Sequence, residues 1–433
     1  MLRRWHTIQK WLTPGLGIKR WLILLIIGLT AGSIALAQLI VELYREQELP
    51  GFVYYITLRF LPIPLRIVVG LAIGIGIIVV AILELNRSIL SPFARQQHFI
   101  DLMYSYSFRN KGIKVVALGG GTGLPAVLRG LKHDTGNIIA IVTVADDGGS
   151  SGKLRRELGV LPPGDLRNNI VALADDENLM TQLFQYRFGE GGLEGHSFGN
   201  LFITALADIT GSMDRALIEA GRVLAIRGRV LPSTLQDVTL VGEVRQPGST
   251  TLKRVVGESQ IPMVGGVIER VSLSPESARA YPESTRAILS ADLIVIGPGS
   301  LYTSIVPNLL VEGIPQAIRA SGALCLYVCN IATQDGETDN YTVADHVLAL
   351  ERHAGRRLFS IVIANNAYPP SDETAYVMPA PQDHDIWQRY TIYETDLTDN
   401  KYPWRHSPEK LGRAILNIVA QHQSTTLPFS ETR

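Results

Sequence analysis

The sequence has little cysteine and no excess of either charge. Only 2 of its 433 residues are cysteines, and 40 basic residues balance 40 acidic ones. So few cysteines exclude a disulfide-stapled scaffold. Cys325 and Cys329 share one apolar run, too far apart along a strand for an easy disulfide, so we expect two small buried side chains in a reducing compartment. Without a basic excess, nucleic acid is not an expected partner.

Several signatures of catalysis are absent too. We identify no serine in a nucleophile elbow with a catalytic triad in view, and His196 has no cysteine or second histidine at a zinc-like spacing. No Gly-Lys-Ser/Thr follows the first glycine-rich loop, so it is not a P-loop. Leu124 stands where the dinucleotide fingerprint has its third glycine. A nicotinamide dehydrogenase is therefore disfavoured. The sequence also has no internal repeat and no low-complexity segment.

The stretch from Lys114 to Lys153 organises the chain. An apolar run at 115–118 leads into a glycine loop, a helical pattern follows through Leu131, and a second apolar run, 138–145, ends in a polar glycine loop. This order predicts strand, loop, helix, strand and loop, which is the opening βαβ unit of a Rossmann-like sheet. We expect an α/β fold with a doubly wound, mostly parallel sheet, whose ligands bind beyond the carboxyl ends of the strands.

The first loop has the composition of a phosphate-binding turn. Residues without a Cβ let a ligand approach the backbone, and the amides at the start of the next helix carry partial positive charge. The hydroxyl of Thr122 could add a donor. The residues predicted to bind ligand here are Gly119, Gly120, Gly121, Thr122, Gly123 and Leu124. The alternative is a tight strand-to-helix turn with no ligand.

The second loop begins with adjacent carboxylates, Asp146 and Asp147. They could accept from a ribose hydroxyl, hold Mg²⁺ through water or, in an enzyme, take part in catalysis. Amides, hydroxyls and cations follow that could bind phosphate: Gly149, Ser150, Ser151, Lys153 and Arg155. The alternative is a solvated turn with an aspartate capping the helix.

Two further loops precede helix starts. In the first, Pro-Pro-Gly is followed by Asp165, Arg167 and Asn168, which we expect to face the same ligand site as the two glycine loops. The alternative is a capped helix start with a surface arginine. In the second, a glycine-rich run contains His196, Gly199 and Asn200. His196 could serve as a general acid or base or as a phosphate donor, because its ordinary pKa lies near neutrality. A local hydrogen-bonding role is the alternative.

The second half of the chain repeats the βα pattern. Residues 222–273 alternate apolar and polar positions and predict a short antiparallel subregion, and a buried strand follows at 292–296. The loop after that strand predicts an oxyanion-accepting nest, formed by Gly297, Gly299, Ser300, Thr303 and Ser304. Asn330 and Thr333 follow the strand predicted at 324–329, where ligand contacts belong in this fold class. A helix at 343–353, a strand at 358–364 and a last helix at 407–421 complete the domain.

The N-terminal part reads as a membrane anchor. Residues 1–20 include five lysines and arginines, and an uncharged run, Trp21 to Val41, follows them. A second uncharged run spans Ile67 to Leu83. Both are long enough to predict transmembrane helices, within residues 21–83 and joined by a short outer loop. The positive-inside rule then predicts a multi-pass inner-membrane protein with its N-terminus and globular domain in the cytoplasm, joined through a juxtamembrane connector, 84–112. Alternatives are a cleaved signal peptide for the first run and a buried core helix for the second.

The ordered motif set resembles one family. The motifs are Gly-Gly-Gly-Thr-Gly at 119–123, Ala-Asp-Asp-Gly-Gly-Ser-Ser-Gly at 145–152, Pro-Pro-Gly-Asp-Leu-Arg at 162–167, Gly-His-Ser-Phe-Gly-Asn at 195–200, Gly-Pro-Gly-Ser-Leu-Tyr-Thr-Ser at 297–304 and Thr-Gln-Asp-Gly-Glu-Thr at 333–338. Together they resemble the 2-phospho-L-lactate transferase (CofD-like) superfamily, and more closely its bacterial gluconeogenesis factors (YvcK-like). The resemblance covers about Ile113 to Gln421, and the two N-terminal spans are additions to it.

This resemblance implies a Rossmann-like domain at 113–425, with a tail at 426–433, that binds a nucleotide sugar of the UDP-N-acetylglucosamine type. It implies a role in carbon-flux regulation and cell shape. It implies that Gly119–Leu124 and Gly299–Ser304 hold phosphates, that Asp146 and Asp147 lie by ribose or metal, and that Gly195–Asn200 close the site. The alternative is a transferase that moves a phospho-lactyl or phosphoenolpyruvyl group with Mg²⁺. Asp146, Asp147 and His196 are then the catalytic candidates. Turnover, metal use and homo-oligomerisation stay open at this stage.

Overall fold

The structure, a computed structural model, describes residues 112–174, 179–370 and 374–426, together with scattered positions between 29 and 76. The chain divides into two units, Met1–Phe108 and Arg109–Arg433. In the first unit the described positions are helical at several points, including Leu29, Thr30 and Val68. The fold described below is that of the second unit.

The predicted membrane anchor is not supported. No helix among the described residues is long and apolar enough to cross a bilayer. The longest of them, Pro408–Thr426, has an apolar face that includes Leu411 and Ile415, but charged residues occupy its other side, so it would expose charge to lipid. The runs Trp21–Val41 and Ile67–Leu83 lie largely outside the described residues. The prediction of a multi-pass inner-membrane protein is therefore wrong for the part of the chain that the structure describes.

A parallel sheet of seven strands forms the centre of the second unit. The strands of the whole unit are β1 (Val115–Gly119), β2 (Ile138–Val142), β3 (Arg229–Pro232), β4 (Thr239–Arg245), β5 (Leu252–Val256), β6 (Val267–Ser274), β7 (Leu293–Ile296), β8 (Leu324–Val328), β9 (Ile361–Asn365) and β10 (Thr391–Thr395). The large sheet has the order β10-β9-β8-β7-β1-β2-β3, with every neighbouring pair parallel. This confirms the predicted Rossmann-like class.

Helices connect these strands. They are α1 (Leu124–Leu131), α2 (Gly149–Leu158), α3 (Pro163–Leu173), α4 (Leu179–Gln185), α5 (Phe198–Thr210), α6 (Met213–Val223), α7 (Pro282–Leu289), α8 (Val306–Leu310), α9 (Ile314–Ala320), α10 (Val343–Ala354), α11 (Ile386–Arg389) and α12 (Pro408–Thr426), with a π-helical turn at Leu301–Ile305 and short 3₁₀ turns at Gly191–Leu193 and Pro262–Val264. The predicted helices at 343–353 and 407–421 correspond to α10, which ends one residue later, and to α12, which begins one residue later and ends five residues later.

The strand order reverses between β1 and β7. From β1 the chain adds β2 and β3 on one side, whereas from β7 it adds β8, β9 and β10 on the other. Neighbouring loops therefore leave the sheet in opposite directions at this point and open a crevice beyond the carboxyl ends of the strands. The two loops that flank it are 120–123, after β1, and 297–300, after β7.

The antiparallel subregion is confirmed with one difference. Strands β5, β4 and β6 form a separate antiparallel sheet, as the alternating pattern predicts. Strand β3 instead joins the parallel sheet beside β2, within the stretch predicted to be antiparallel. Its residues Val230, Leu231 and Pro232 are all buried, which is typical of a strand covered on both faces.

The core lies on both faces of the parallel sheet. All five residues of β1 are buried, and Leu124, Leu128 and Leu131 of α1 pack against the sheet. Cys325 and Cys329 are both free and buried, as expected. Continuous burial along β1 explains its uninterrupted apolar sequence, because a central parallel strand has no face in water.

Helices α1 and α12 pack closely through two glycines, and this contact generates a prediction. A Cβ on Gly412 would lie 2.5 Å from the carbonyl oxygen of Gly130 and 3.0 Å from its Cα. Glycine to alanine inside a helix ordinarily stabilises by about 0.5–1 kcal/mol. We expect Gly412→Ala to lower the free energy of unfolding by about 1–2 kcal/mol, because separating two packed helices costs more.

Urea denaturation measures this change. Gly192→Ala is the control, because a Cβ there meets no atom within 4 Å and the residue lies in a 3₁₀ turn. It should stay within about 0.5 kcal/mol of the wild type. A Gly412→Ala protein as stable as this control would show that the two helices are not in contact.

Candidate ligand-binding site

The loops after β1 and β7 touch each other at the crevice. A Cβ on Gly123 would collide with the carbonyl group of Pro298, whose carbon lies 2.6 Å away. A Cβ on Gly120 would lie 2.5 Å from Ser304 Oγ. Asn308 Nδ2 donates to the carbonyl oxygens of Gly119 and Ser304, at 2.9 Å each. Two stretches far apart in sequence thus form one continuous wall.

Asp165 closes the first loop from the other side. It lies in the first turn of α3, where it accepts the backbone N–H of Gly121. A Cβ on Gly121 would collide with the Asp165 carboxylate and lie 2.8 Å from its Cα. Asn169, one turn later, donates to the carbonyl oxygens of Gly120 (3.0 Å) and Asp165 (2.8 Å). Protein neighbours, rather than a ligand, account for the missing side chains at Gly120 and Gly121.

The adjacent carboxylates of the second loop point apart. Asp146 Oδ1 accepts the N–H of Gly148 at 2.9 Å, and its side chain also bonds to Ser151. Asp147 Oδ1 instead accepts the N–H of Ser259, at 2.9 Å, from the connection between β5 and β6. Asp146 lies beside α3, where a Cβ on Gly164 would be 3.4 Å from its Oδ2, whereas Asp147 holds the antiparallel sheet against the loop.

Three carboxyl groups concentrate negative charge at the crevice: Asp146, Asp165 and Glu258. Burial, together with the charge of Asp146, raises the pKa of Asp165 to about 7. Burial also raises the pKa of Glu258 to about 8, with Asp146 and Asp165 as further causes. Burial raises the pKa of Asp146 as well. The crevice is therefore acidic, and its carboxyl groups hold protons more tightly than in water.

A polar network joins the helix starts on this side. The Arg167 guanidinium donates to Ser197 Oγ, to Asn200 Oδ1 (3.0 Å) and to Asn168 Oδ1 (2.6 Å). Ser197 also caps α5 by accepting the N–H of Asn200. Because Arg167 is buried and these acceptors surround it, α3 and α5 are fixed relative to each other.

Ser150 and His196 extend this network. Ser150 Oγ lies 3.0 Å from His196 Nδ1 and accepts from Asn200 Nδ2 at 3.0 Å. The run Gly148–Gly152 has the Gly-x-Ser-x-Gly spacing that the sequence analysis did not assign to this loop. No carboxylate hydrogen-bonds His196 among the described contacts, and both side chains are buried. The contact is the local hydrogen bond that was the alternative for His196, and a catalytic role for this histidine stays a prediction.

The carboxylate of Glu337 binds the backbone of the glycine loop after β7. Its Oε1 accepts the N–H groups of Tyr302 (2.7 Å) and Thr303 (3.1 Å). Burial raises its pKa to about 7, although these two amides act in the opposite direction. Gly299 donates its N–H to Asn330 Oδ1 at 3.1 Å. Two amides of the predicted oxyanion nest, those of Gly299 and Thr303, thus already have acceptors within the protein.

Other predicted residues lie in different surroundings. Arg155 pairs with Asp237 at 2.6 Å and donates to the carbonyl oxygen of Val238, so its guanidinium binds the connection before β4. The hydroxyl of Thr333 donates to a backbone carbonyl on the 374–378 segment. Leu124 is a core residue. Among the predicted residues, Thr122, Gly149 and Lys153 are exposed, and Asn168 and Ser300 are half-buried.

Comparison with known proteins now decides the family. A family model described as 2-phospho-L-lactate transferase CofD matches residues 115–397. A Bacillus subtilis protein named gluconeogenesis factor is 48% identical over 317 residues, which cover 71% of this chain and 98% of that protein. The chain belongs to the CofD-like family of gluconeogenesis factors. The family expected from the motifs is confirmed.

Other similar proteins cover the chain differently. A relative from Nostoc sp. is 44% identical over 426 residues, covering 94% of this chain and 91% of its own. A crystal structure of a Bacillus halodurans protein superposes with a TM-score of 0.65 and 44% identity, covering 70% of this chain and 98% of that one. The CofD-like family model accounts for the same region that forms the parallel sheet.

Sequence reasoning missed two carboxylates, for different reasons. Glu337 lies inside the Thr333–Thr338 motif on which the resemblance rests, so a signal existed, but its spacing from Tyr302 gave no hint of contact. Glu258 follows β5 in a region without any motif, and only the folded chain brings it to the crevice. The local hydrophobic pattern predicts helices and strands, but it does not predict contacts between carboxylates and residues far away in the sequence.

Metal binding remains a prediction. Across residues 112–174, 179–370 and 374–426, no group of three or more histidine, cysteine or acidic side chains is arranged to hold a metal ion. Mg²⁺ often binds through one or two carboxylates with the rest supplied by water and substrate phosphates. Asp146 fits that limited role, whereas Asp147 points to Ser259.

The raised pKa of Asp165 predicts a pH dependence of stability. Its ordinary pKa is 3.8 and its folded value is about 7, so the folded state binds the proton more tightly. The stabilisation is complete below about pH 4 and is lost as the pH rises through 7. We expect Asp165→Asn to remove about 2–3 kcal/mol of the fall in unfolding free energy between pH 5 and pH 8.

Denaturation at several pH values measures this slope. Asp208→Asn, which changes an exposed carboxylate on α5, should leave the wild-type slope unchanged. The interpretation would fail if wild type and Asp165→Asn lost the same stability over this pH range.

Proposed function

We propose that this protein is a regulator of carbon flux and cell shape that binds a nucleotide sugar of the UDP-N-acetylglucosamine type. One observation carries the proposal: the two glycine loops flank the crevice where the strand order reverses between β1 and β7. Open parallel sheets bind nucleotides at such switch points. The names of the gluconeogenesis-factor relatives support the link to carbon metabolism.

The chemistry of the crevice suits a ligand rich in hydroxyl groups. Ionised carboxylates are acceptors only, and a ribose or hexose offers several hydroxyl donors. Asp146 and Glu258 can accept these donors, while Thr122 and Ser300 leave their own hydroxyls at the mouth. The ribose and hexose of a nucleotide sugar can therefore use these acceptors, whereas inorganic phosphate offers almost no donors.

Calorimetry tests this binding directly. We expect the full chain to bind UDP-N-acetylglucosamine, and Thr122→Val to weaken the affinity about fivefold to tenfold, since it removes one hydroxyl and keeps the shape. Thr285→Val, on α7 away from both loops, should bind like the wild type. No heat with any UDP-sugar at millimolar concentration would refute the proposal.

A second function is favoured by the acidic cluster. A transferase that moves a phospho-lactyl or phosphoenolpyruvyl group needs a cation to neutralise the transferred phosphoryl group, and a carboxylate can hold that cation. Asp146 would hold Mg²⁺ together with donor phosphates and water. The family model carries the name of such a transferase.

Product formation decides between the two functions. Incubation with the activated nucleotide donor, a deazaflavin acceptor and Mg²⁺ should give product with wild type, and Asp146→Asn should lower the rate at least about 100-fold. Glu243→Gln, an exposed change on β4, controls for the loss of one carboxylate. If no product forms with wild type while UDP-sugar binds, the regulator is favoured.

A further inference from the structure

A cavity lies at the opposite edge of the sheet, where β8, β9 and β10 begin. It has a volume of about 600 Å³, and its lining includes residues just before these strands, such as Ala323, Ser360 and Tyr390. Because the strands are parallel, their amino ends share one edge and the ligand crevice lies at the other. The cavity is therefore separate from the site described above.

Arginines dominate its lining: Arg319, Arg356, Arg357 and Arg389, against the single carboxylate Glu351. Glu351 is already bound, since Arg389 Nη1 donates to both of its oxygens at 2.6 and 2.8 Å and the Tyr390 hydroxyl donates at 2.6 Å. Asp385, outside the lining, lies 3.1 Å from Arg389 Nε. These contacts neutralise Arg389 and leave three cationic groups in excess.

The other arginines stand at the mouth. Arg356 is 74% exposed, and its Nε lies 3.9 Å from Glu351, at the limit of an ion pair. Arg319 donates to the carbonyl oxygen of Ala354, which fixes its guanidinium beside the same loop. Arg357 has a φ of 64°, a left-handed conformation that an arginine rarely adopts. Such strain persists only where the surrounding structure imposes it, and it concentrates at functional sites.

We propose that this cavity is a second ligand site, which binds a small soluble molecule carrying more than one phosphoryl charge. Planar guanidinium groups grip phosphoryl oxygens in pairs, and Arg319, Arg356 and Arg357 surround one space. The volume is of the size that holds small metabolites. Leu358 and Phe359 are almost fully buried, so the lining presents no exposed apolar anchor for a membrane.

Equilibrium dialysis of the full chain with radiolabelled inorganic pyrophosphate tests the site. Excess UDP-N-acetylglucosamine is included to occupy the crevice if it binds there. Arg356→Gln combined with Arg357→Gln should weaken pyrophosphate binding at least tenfold. The control, Arg222→Gln combined with Arg286→Gln, removes two exposed arginines that pair with glutamates of their own helices, and it should bind like the wild type.

A second variant separates binding from folding. Arg357→Gly removes the charge and suits the positive φ, so its melting temperature should not fall, yet pyrophosphate binding should weaken at least threefold. The proposal is overturned if wild type does not bind millimolar pyrophosphate, if the glutamine variant binds as tightly as wild type, or if the control loses as much. Displacement of pyrophosphate by phosphatidylglycerol vesicles from both the wild type and the control would identify a lipid headgroup site instead.

Discussion

The structure depends on the contact between Asp165 and the loop after β1. The carboxylate takes the amide of Gly121 and fills the space that a side chain there would need. Since Asp165 belongs to the first turn of α3, this contact also places Arg167 among its acceptors on α5. On its other side the same loop touches Pro298, after β7. A single carboxylate thus determines how three segments meet at the point where the strand order reverses.

The glycine loop after β7 follows the same physical rule. Glu337, distant in sequence, accepts the amides of Tyr302 and Thr303, where a bound anion would otherwise accept them. Each loop therefore has a carboxylate of the protein at its backbone amides. An anionic group of a ligand must bind beside these carboxylates or displace them. The backbone amides of the glycine loops that these carboxylates bind are therefore not available to a phosphate.

The sequence predicted the parts of the fold that depend on local pattern. The runs at 115–118 and 138–145 gave β1 and β2 because central parallel strands are apolar on both faces, and the glycine loops between strand and helix were placed at the correct edge. Parallel topology then brought Gly119–Leu124 and Gly297–Ser304 together. What pattern could not predict were pairings over long distances: Glu258 in the crevice, Glu337 on Tyr302, and Arg155 on Asp237 instead of a phosphate. These partners follow from tertiary contacts that no spacing encodes.

An acidic crevice in a family linked to phosphorylated ligands is less contradictory than its count of carboxylates suggests. Asp165 and Glu258 have pKa values of about 7 and about 8, so near neutral pH each carries its proton for a substantial part of the time. A protonated carboxyl donates a hydrogen bond, and a deprotonated one only accepts. In the proposed nucleotide-sugar complex, the same side chains would therefore meet a phosphoryl oxygen in one state and a sugar hydroxyl in the other. Burial raises both pKa values, and it therefore allows each of these carboxyl groups to be protonated or ionised near neutral pH.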